Sequence, residues 1–233
     1  MKKLIIIPAY NESSNIEGTI QAIKEKAPHF DYVIINDCST DNTLEICKKN
    51  KYNVVDLPIN LGIGGAVQTG YLYAKKYNYD IAVQIDGDGQ HDPAFLEEMA
   101  NILEKNQVDM VIGSRFIKNE GFQSSFARRM GIRYFTWIIK LMTGNTITDA
   151  TSGLRLVNRS LIEKFAVNYP QDYPEPETVV DVLHNHYTIK EIPVIMKERQ
   201  GGVSSISLKK SIYYMFKVSL AIVMVKLRGR ENA

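Results

Sequence analysis

Ile85-Asp86-Gly87-Asp88-Gly89-Gln90-His91 closes the apolar run Ile81 to Ile85 and leads into Pro93 to Asn106, a segment of helical period. A β-rich run, a polar turn and a helix, in that order, form the repeating unit of an α/β fold. The unit recurs through the first half: Lys3 to Pro8 then Asn15 to Lys26, Tyr32 to Asn36 then Thr43 to Asn50, Val54 to Leu57 then Gly65 to Tyr77, and a last run Asp109 to Gly113. That rhythm predicts a mainly parallel, mixed sheet flanked by helices. The polar motifs follow the strands directly: Pro8 to Glu12, Asn36 to Asn42, Asp86 to His91 and Ser114-Arg115. Ligands bind beyond the carboxyl ends of strands in open parallel sheets, so these four loops are expected to meet in one crevice.

The acidic turn has its own chemistry. Asp86 and Asp88 cannot both turn into a core, because an unpaired buried carboxylate costs several kcal/mol. Glycines on either side keep the backbone close and unencumbered. Such an oxygen pair suits Mg²⁺ or Mn²⁺, which keep waters and take further ligands from substrate phosphates. Asp and Gly also favour ordinary surface turns, and on these residues alone that reading stands beside the metal one.

With 233 residues and ordinary apolar and charged fractions, the chain can bury the core of one domain with a short appendage. A net charge of +2, without a polybasic block, argues against nucleic acid. Cys38 and Cys47 lack metal-ligand spacing to any histidine, and Cys38 lies in a polar motif, so a reducing compartment is expected. Pro8 cuts the first apolar run short of a secretory segment. The best candidate for a membrane span, Val218 to Val225, is bracketed by Lys217 and Lys226 and is too short.

Asn60-Leu61-Gly62-Ile63-Gly64-Gly65-Ala66 invites a phosphate-loop reading. It lacks the Lys-Ser/Thr pair of a Walker loop, and Val67 stands at the last glycine of a dinucleotide fingerprint. A tight turn letting the next helix approach the sheet is the better reading. His29, His184 and His186 stand isolated and receive no role.

Pro8-Ala9-Tyr10-Asn11-Glu12, Asn36-Asp37-Cys38-Ser39-Thr40-Asp41, Asp86-Gly87-Asp88-Gly89-Gln90-His91, Gly113-Ser114-Arg115 and Asp149-Ala150-Thr151-Ser152-Gly153-Leu154-Arg155 occur in this order. Together they resemble family 2 glycosyltransferases, above all the dolichyl/polyprenyl-phosphate sugar synthase branch, over residues 3 to 205. The resemblance implies a GT-A fold, a nucleotide-sugar donor, a divalent metal and inversion at the anomeric carbon. By matching position, Pro8, Tyr10 and Glu12 would border the nucleoside and Asp37 would accept a hydrogen bond from the base. The family's usual Asp-Asp-Gly-Ser is here Asn36-Asp37-Cys38-Ser39, which replaces one acid and the glycine. Asp86 would face the ribose or metal, Asp88 would ligate the metal, and Gln90 matches a further metal-side position. The metal would assist departure of the diphosphate.

Arg115 matches the clamp on an acceptor phosphate, where a planar guanidinium offers two hydrogen bonds. Arg128 or Arg129 would be a second arm, or else part of a solvated helix face. Arg199, in Glu198-Arg199-Gln200-Gly201-Gly202-Val203-Ser204-Ser205, resembles the loop that closes over the donor diphosphate. Tyr173-Pro174-Glu175-Pro176-Glu177 departs from the branch pattern. A hydroxyl acceptor needs a general base, whereas an ionised phosphate does not. Glu177 is the first choice for that base and Asp149 the second, although acids in a helix's first turn are favourable in any protein.

Residues 1–205 are expected to form the catalytic domain, with 1–115 as its donor and metal half and 116–205 as its acceptor half. Residues 206–233 are expected to form an amphipathic helix. Phe126 to Met142 interleaves Arg128, Arg129, Arg133 and Lys140 with Phe135, Trp137, Ile138, Ile139 and Leu141, and so reads as a membrane-interface helix, an oligomer contact or a core helix. The expected activity moves a hexose from a UDP-linked donor to polyprenyl phosphate at the cytoplasmic membrane face. Peripheral membrane contact and a homo-oligomer or small membrane-protein partner would supply the anchor. Transfer to a hydroxyl of a cell-surface or protein-linked glycan is the alternative, and a nucleotide-sugar binding protein without turnover is a third.

Overall fold

The structure is a computed structural model that describes residues 1–118, 126–172, 174–197 and 219–220, with side chains for all of these except 126–128. Arg199, the side chain of Arg128 and nearly all of the expected C-terminal helix lie outside the described residues. The first half follows the alternation in the sequence: β1 (Lys3–Ala9), α1 (Ile16–Lys26), β2 (Asp31–Asn36), α2 (Thr43–Lys49), β3 (Val54–Asp56), α3 (Gly62–Lys76), β4 (Ile81–Gln84), a 3₁₀ turn (Pro93–Phe95), α4 (Leu96–Asn106) and β5 (Met110–Ser114). The second half adds α5 (Phe126–Thr143), β6 (Arg155–Asn158), α6 (Arg159–Val167), α7 (Pro174–His184) and β7 (Ile189–Pro193).

The strands form one sheet in the order β3-β2-β1-β4-β6-β5-β7. β1 pairs in parallel with β2 and β4, β2 with β3, and β5 with β7. β6 enters between β4 and β5 and runs against both. Its first residue, Arg155, therefore lies opposite Gln84 near the end of β4 and opposite Ile112 near the end of β5. That reversal carries the loop before β6, residues 149–154, to the end of the sheet where the β1, β2, β4 and β5 loops emerge.

Two apolar layers sandwich the sheet. Leu4 and Ile6 of β1 face Val67, Tyr71 and Ala74 of α3, while Ile5 and Ile7 face Ile16, Ile20 and Ile23 of α1. A strand buried on both sides needs an unbroken apolar run, which is what Leu4-Ile5-Ile6-Ile7 supplies. Helix α5 divides its side chains: Ile132, Phe135, Ile138 and Ile139 are buried, whereas Met130, Tyr134, Trp137 and Leu141 are exposed. Phe135, Ile138 and Ile139 are thus core residues, and Trp137 and Leu141 belong to the outer face.

The α3 glycines serve close packing. A Cβ on Gly70 would sit 2.2 Å from the Ile6 side chain, so α3 approaches β1 as expected. Gly64 has a different neighbour: its Cβ would fall 2.1 Å from the Pro170 carbonyl oxygen and 2.3 Å from that of Gln171, and its N–H donates to Gln171. Backbone cannot rotate away as a side chain can. Gly64→Ala is therefore expected to destabilise the fold by about 3 kcal/mol, the upper end for overpacking, in urea unfolding.

Candidate active site

The donor-side loops are joined to one another before any ligand arrives. Asn11, just past β1, takes a left-handed backbone (φ 57°), and its Oδ1 accepts from the Thr40 and Asp41 N–H groups and the Thr40 hydroxyl. Its own N–H donates to Ser39 Oγ. Glu12 N–H donates to Thr43 Oγ1, and Ser13 N–H to Asp41. Burial pushes the Asp41 carboxyl up, but hydrogen bonds from Thr43 and Ser13 outweigh it and hold the group below the usual range. Pro8 is buried within β1, Tyr10 is exposed at the rim, and Glu12 accepts from Asn15 Nδ2 at 2.7 Å.

Asp37 is buried at the end of β2. Its carboxylate accepts the Leu61 N–H at 2.7 Å and the Gly62 N–H at 2.9 Å, capping α3. The N-terminus of α3 already carries an internal anion, which is why the glycine-rich segment behaves as a packed turn. Cys38 beside it takes φ 56°, the left-handed position where the family pattern has glycine.

The acidic turn lies between the β1 loop and the loop before β6. Asp88 is 5% exposed and its Oδ1 accepts the Gln90 N–H at 3.0 Å. Asp86 is more open, with Gln84 Nε2 at 3.2 Å from Oδ1. A Cβ on Gly153 would come within 2.9 Å of Asp86 Oδ2, so the bare glycine of the 149–155 motif makes room for that carboxylate. Gln90 exchanges bonds with the strand exit after β7: its carbonyl accepts the Lys197 N–H, and its Nε2 donates to the Lys197 carbonyl. Two carboxylates and an amide oxygen fit Mg²⁺ or Mn²⁺, whose remaining ligands come from water and phosphate. Among the described residues no cluster of three or more His, Cys, Asp or Glu makes a self-sufficient metal site.

Arg115 and Asp149 are bound to each other. Nε donates to Oδ2 and Nη2 to Oδ1, both at 2.7 Å, and the Arg115 N–H also reaches Oδ2. Nη2 further donates to Thr151 Oγ1, whereas Nη1 makes no hydrogen bond among the described residues. Glu191 of β7 fixes the loop from behind, accepting from the Thr148 and Asp149 N–H groups and the Thr148 hydroxyl; burial pushes its carboxyl up. The reading of Asp149 as a second-choice base is corrected accordingly. It is fully buried, with both oxygens committed to Arg115, and so is a positioning group for that guanidinium.

Below the crevice, Arg155 is 2% exposed and donates to the carbonyls of Ala150, Ser152 and Glu175 and to Thr178 Oγ1. It ties the loop before β6 to the first turn of α7. Burial pushes the Glu175 carboxyl up, with Arg155 opposing, Asp86 reinforcing and Arg115 opposing that shift. Burial likewise raises Tyr169, which also feels Arg155, Glu175 and Asp86. Glu177, the first-choice base, is half-buried in the first turn of α7 and has an interaction of its own, and Glu175, two positions before it, feels the charges of Asp86 and Arg115.

The raised Glu175 value carries a stability consequence. The folded chain holds this proton more tightly than the unfolded chain, so the contribution to stability is full below the ordinary value of 4.5 and is lost as pH rises through the raised value. Glu175→Gln is expected to raise the thermal midpoint at neutral pH. The gain should vanish below the ordinary carboxylate range in melts followed across pH.

Residues 4–165 match the description Glycosyl transferase family 2. An uncharacterised protein of Methanocaldococcus jannaschii, MJ1222, is 31% identical over 226 residues, covering 96% of this chain and 91% of its own length. Polyprenol monophosphomannose synthase of Mycolicibacterium smegmatis is 25% identical over 228 residues, covering 94% of this chain and 86% of its own. Glucosyl-3-phosphoglycerate synthase of Mycobacterium tuberculosis, crystallised with Mn²⁺, UDP-glucose and phosphoglyceric acid, superposes with a TM-score of 0.76 at 16% identity, over 97% of this chain and 79% of that one. The sheet order, the match across more than half the chain and the acidic turn at the end of β4 agree: this chain belongs to glycosyltransferase family 2 and is a glycosyltransferase of the GT-A fold.

Proposed function

We propose that this chain transfers a hexose from a UDP-linked donor to polyprenyl phosphate, with inversion, at the cytoplasmic face of a membrane. The observation that carries the reading is the Arg115 guanidinium. Asp149 holds it rigidly through Nε and Nη2, and Nη1 makes no hydrogen bond among the described residues. A fixed cation of this kind suits a phosphate acceptor, which arrives already ionised. One acceptor phosphate oxygen attacks the anomeric carbon from the face opposite the leaving group. The carbon–oxygen bond to the nucleoside diphosphate breaks, its electron pair leaves with the diphosphate, and no proton has to be removed.

Asp86, Asp88 and Gln90 would hold Mg²⁺ or Mn²⁺, which supplies charge neutralisation for the departing diphosphate. Pro8, Tyr10, Glu12 and Asp37 would border the nucleoside. Arg129, exposed on α5, would be a second arm on the acceptor phosphate. Arg128 and Arg199 carry the roles the resemblance implies, on positions outside the side-chain description. Arg129, Arg133 and Lys140 flank the exposed stripe Met130, Tyr134, Trp137 and Leu141, and such a basic, aromatic face suits an interfacial helix. Among the described residues no helix is long and apolar enough to cross a membrane.

A glycan hydroxyl acceptor is the second reading, favoured by one observation: Glu175 is a carboxyl raised by burial beside the crevice, as a general base requires. Purified protein with metal, radiolabelled nucleotide-sugars and short-chain polyprenyl phosphate separates the two. Label entering the organic phase supports the lipid acceptor. Donor hydrolysis with unlabelled lipid transfers the assignment to a hydroxyl acceptor.

A further inference from the structure

The acidic turn ends in a histidine that neither the proposed donor site nor the acceptor site uses. The His91 side chain is fully buried. Its Nδ1 lies 3.2 Å from the Asp86 backbone nitrogen, in position to accept that N–H, and 4.0 Å from Asp86 Oδ2. An accepting Nδ1 puts the ring hydrogen on Nε2, an assignment that follows from the hydrogen-bond network. Nε2 is buried and has no partner among the described residues. Burying an imidazole with one side unsatisfied is unfavourable, so the contact at Nδ1 and the shape of the ring must together justify the residue.

The backbone around His91 is itself held from two sides. His91 forms a β-bridge with Met196 just after β7. On the chain beside it, Asp92 binds Lys26 of α1 and Lys197, and Gln90 exchanges hydrogen bonds with Lys197. The segment 90–92 is therefore fastened to α1 and to the β7 exit, and His91 passes that constraint back to Asp86. Asp86 is then fixed at two points, its N–H by His91 and its Oδ1 by Gln84, while Gly153 leaves room for Oδ2.

We infer that His91 is a positioning residue for the metal site: its Nδ1 sets the Asp86 backbone so that the two carboxylates of the turn reach one divalent ion. This assignment rests on the metal reading of Asp86 and Asp88 given above. Three variants separate the hydrogen bond from the packing. Asparagine keeps an acceptor near the Nδ1 position, glutamine moves its polar group toward Nε2, and leucine fills space without an acceptor.

The test is Mn²⁺ titration in the presence of UDP, with free Mn²⁺ followed by electron paramagnetic resonance, so that it does not depend on turnover. Thermal melts confirm that each variant is folded. His91→Asn is expected to bind Mn²⁺ close to wild type, and His91→Gln and His91→Leu about 10–100-fold more weakly, the usual cost of removing a group behind a metal ligand. Transfer assays should show the same order in the metal concentration for half-maximal rate, with smaller changes in kcat. Wild-type affinity in folded His91→Leu would reduce the ring to packing and overturn the inference. Equal weakness in His91→Asn and His91→Gln would overturn it as well, and that pair decides the matter if the leucine variant fails to fold. Wild-type protein that binds no Mn²⁺ with UDP would remove the metal reading itself, and this assignment with it.

Discussion

Arg115→Ala is expected to abolish transfer and to lower the stability of the fold by about 3–5 kcal/mol, the usual cost of breaking one side of a buried ion pair. The size follows from what remains. Asp149 has no exposure to water, and both its oxygens are bound by the guanidinium at 2.7 Å. Without Arg115 a buried carboxylate loses its counter-charge, and the Thr148–Thr151 loop must open to solvent or take up a proton. Arg115→Lys should recover little, because an ammonium cannot supply two parallel donors to one carboxylate. Removing both partners should return much of the stability and none of the activity. A double-mutant cycle on urea midpoints measures this coupling, and an Arg115→Ala protein as stable as wild type would show that the pair contributes nothing.

Asp88→Asn should leave the fold nearly intact and cost about 10³-fold in transfer rate, the equivalent of about 4 kcal/mol. Asparagine keeps an oxygen for the Gln90 N–H, so the turn survives while the charge that would hold the metal is lost. The contrast with Arg115 is the informative part. Arg115 couples chemistry to folding because its partner is buried, whereas Asp88→Asn separates the two. Melting curves and a metal-dependence series on the same preparation check both halves, and an active Asp88→Asn enzyme would remove the metal from the acidic turn.

The two expected results draw on residues that the sequence displayed unequally. Asp88 stood out as a candidate through its place in an ordered set of motifs, since a carboxylate between glycines also suits an ordinary surface turn. Arg115 was legible as a cation at a strand end, but its partner was not: Asp149 lies 34 positions along the chain, beyond α5, and read alone it suggested a base. Glu177 and Glu175 stand two residues apart on one helix turn, and composition alone does not tell their surroundings apart. His91 read as the tail of a motif until its ring was found against the Asp86 N–H.

The sequence by itself determined the strands and helices of the first half, through β5, and the end of the sheet at which the polar motifs emerge. Those follow from local rules: residue period, turn chemistry, and the tendency of polar loops to follow the strands of a parallel sheet. It also determined the two-sided burial of β1, through four apolar residues in a row. Only the tertiary structure decided that β6 runs backwards between β4 and β5. That one reversal delivers Asp149 to Arg115, Gly153 to Asp86 and Arg155 to the floor of the crevice. Pairing of distant strands depends on how the whole chain closes and packs, and no window of neighbouring residues encodes it.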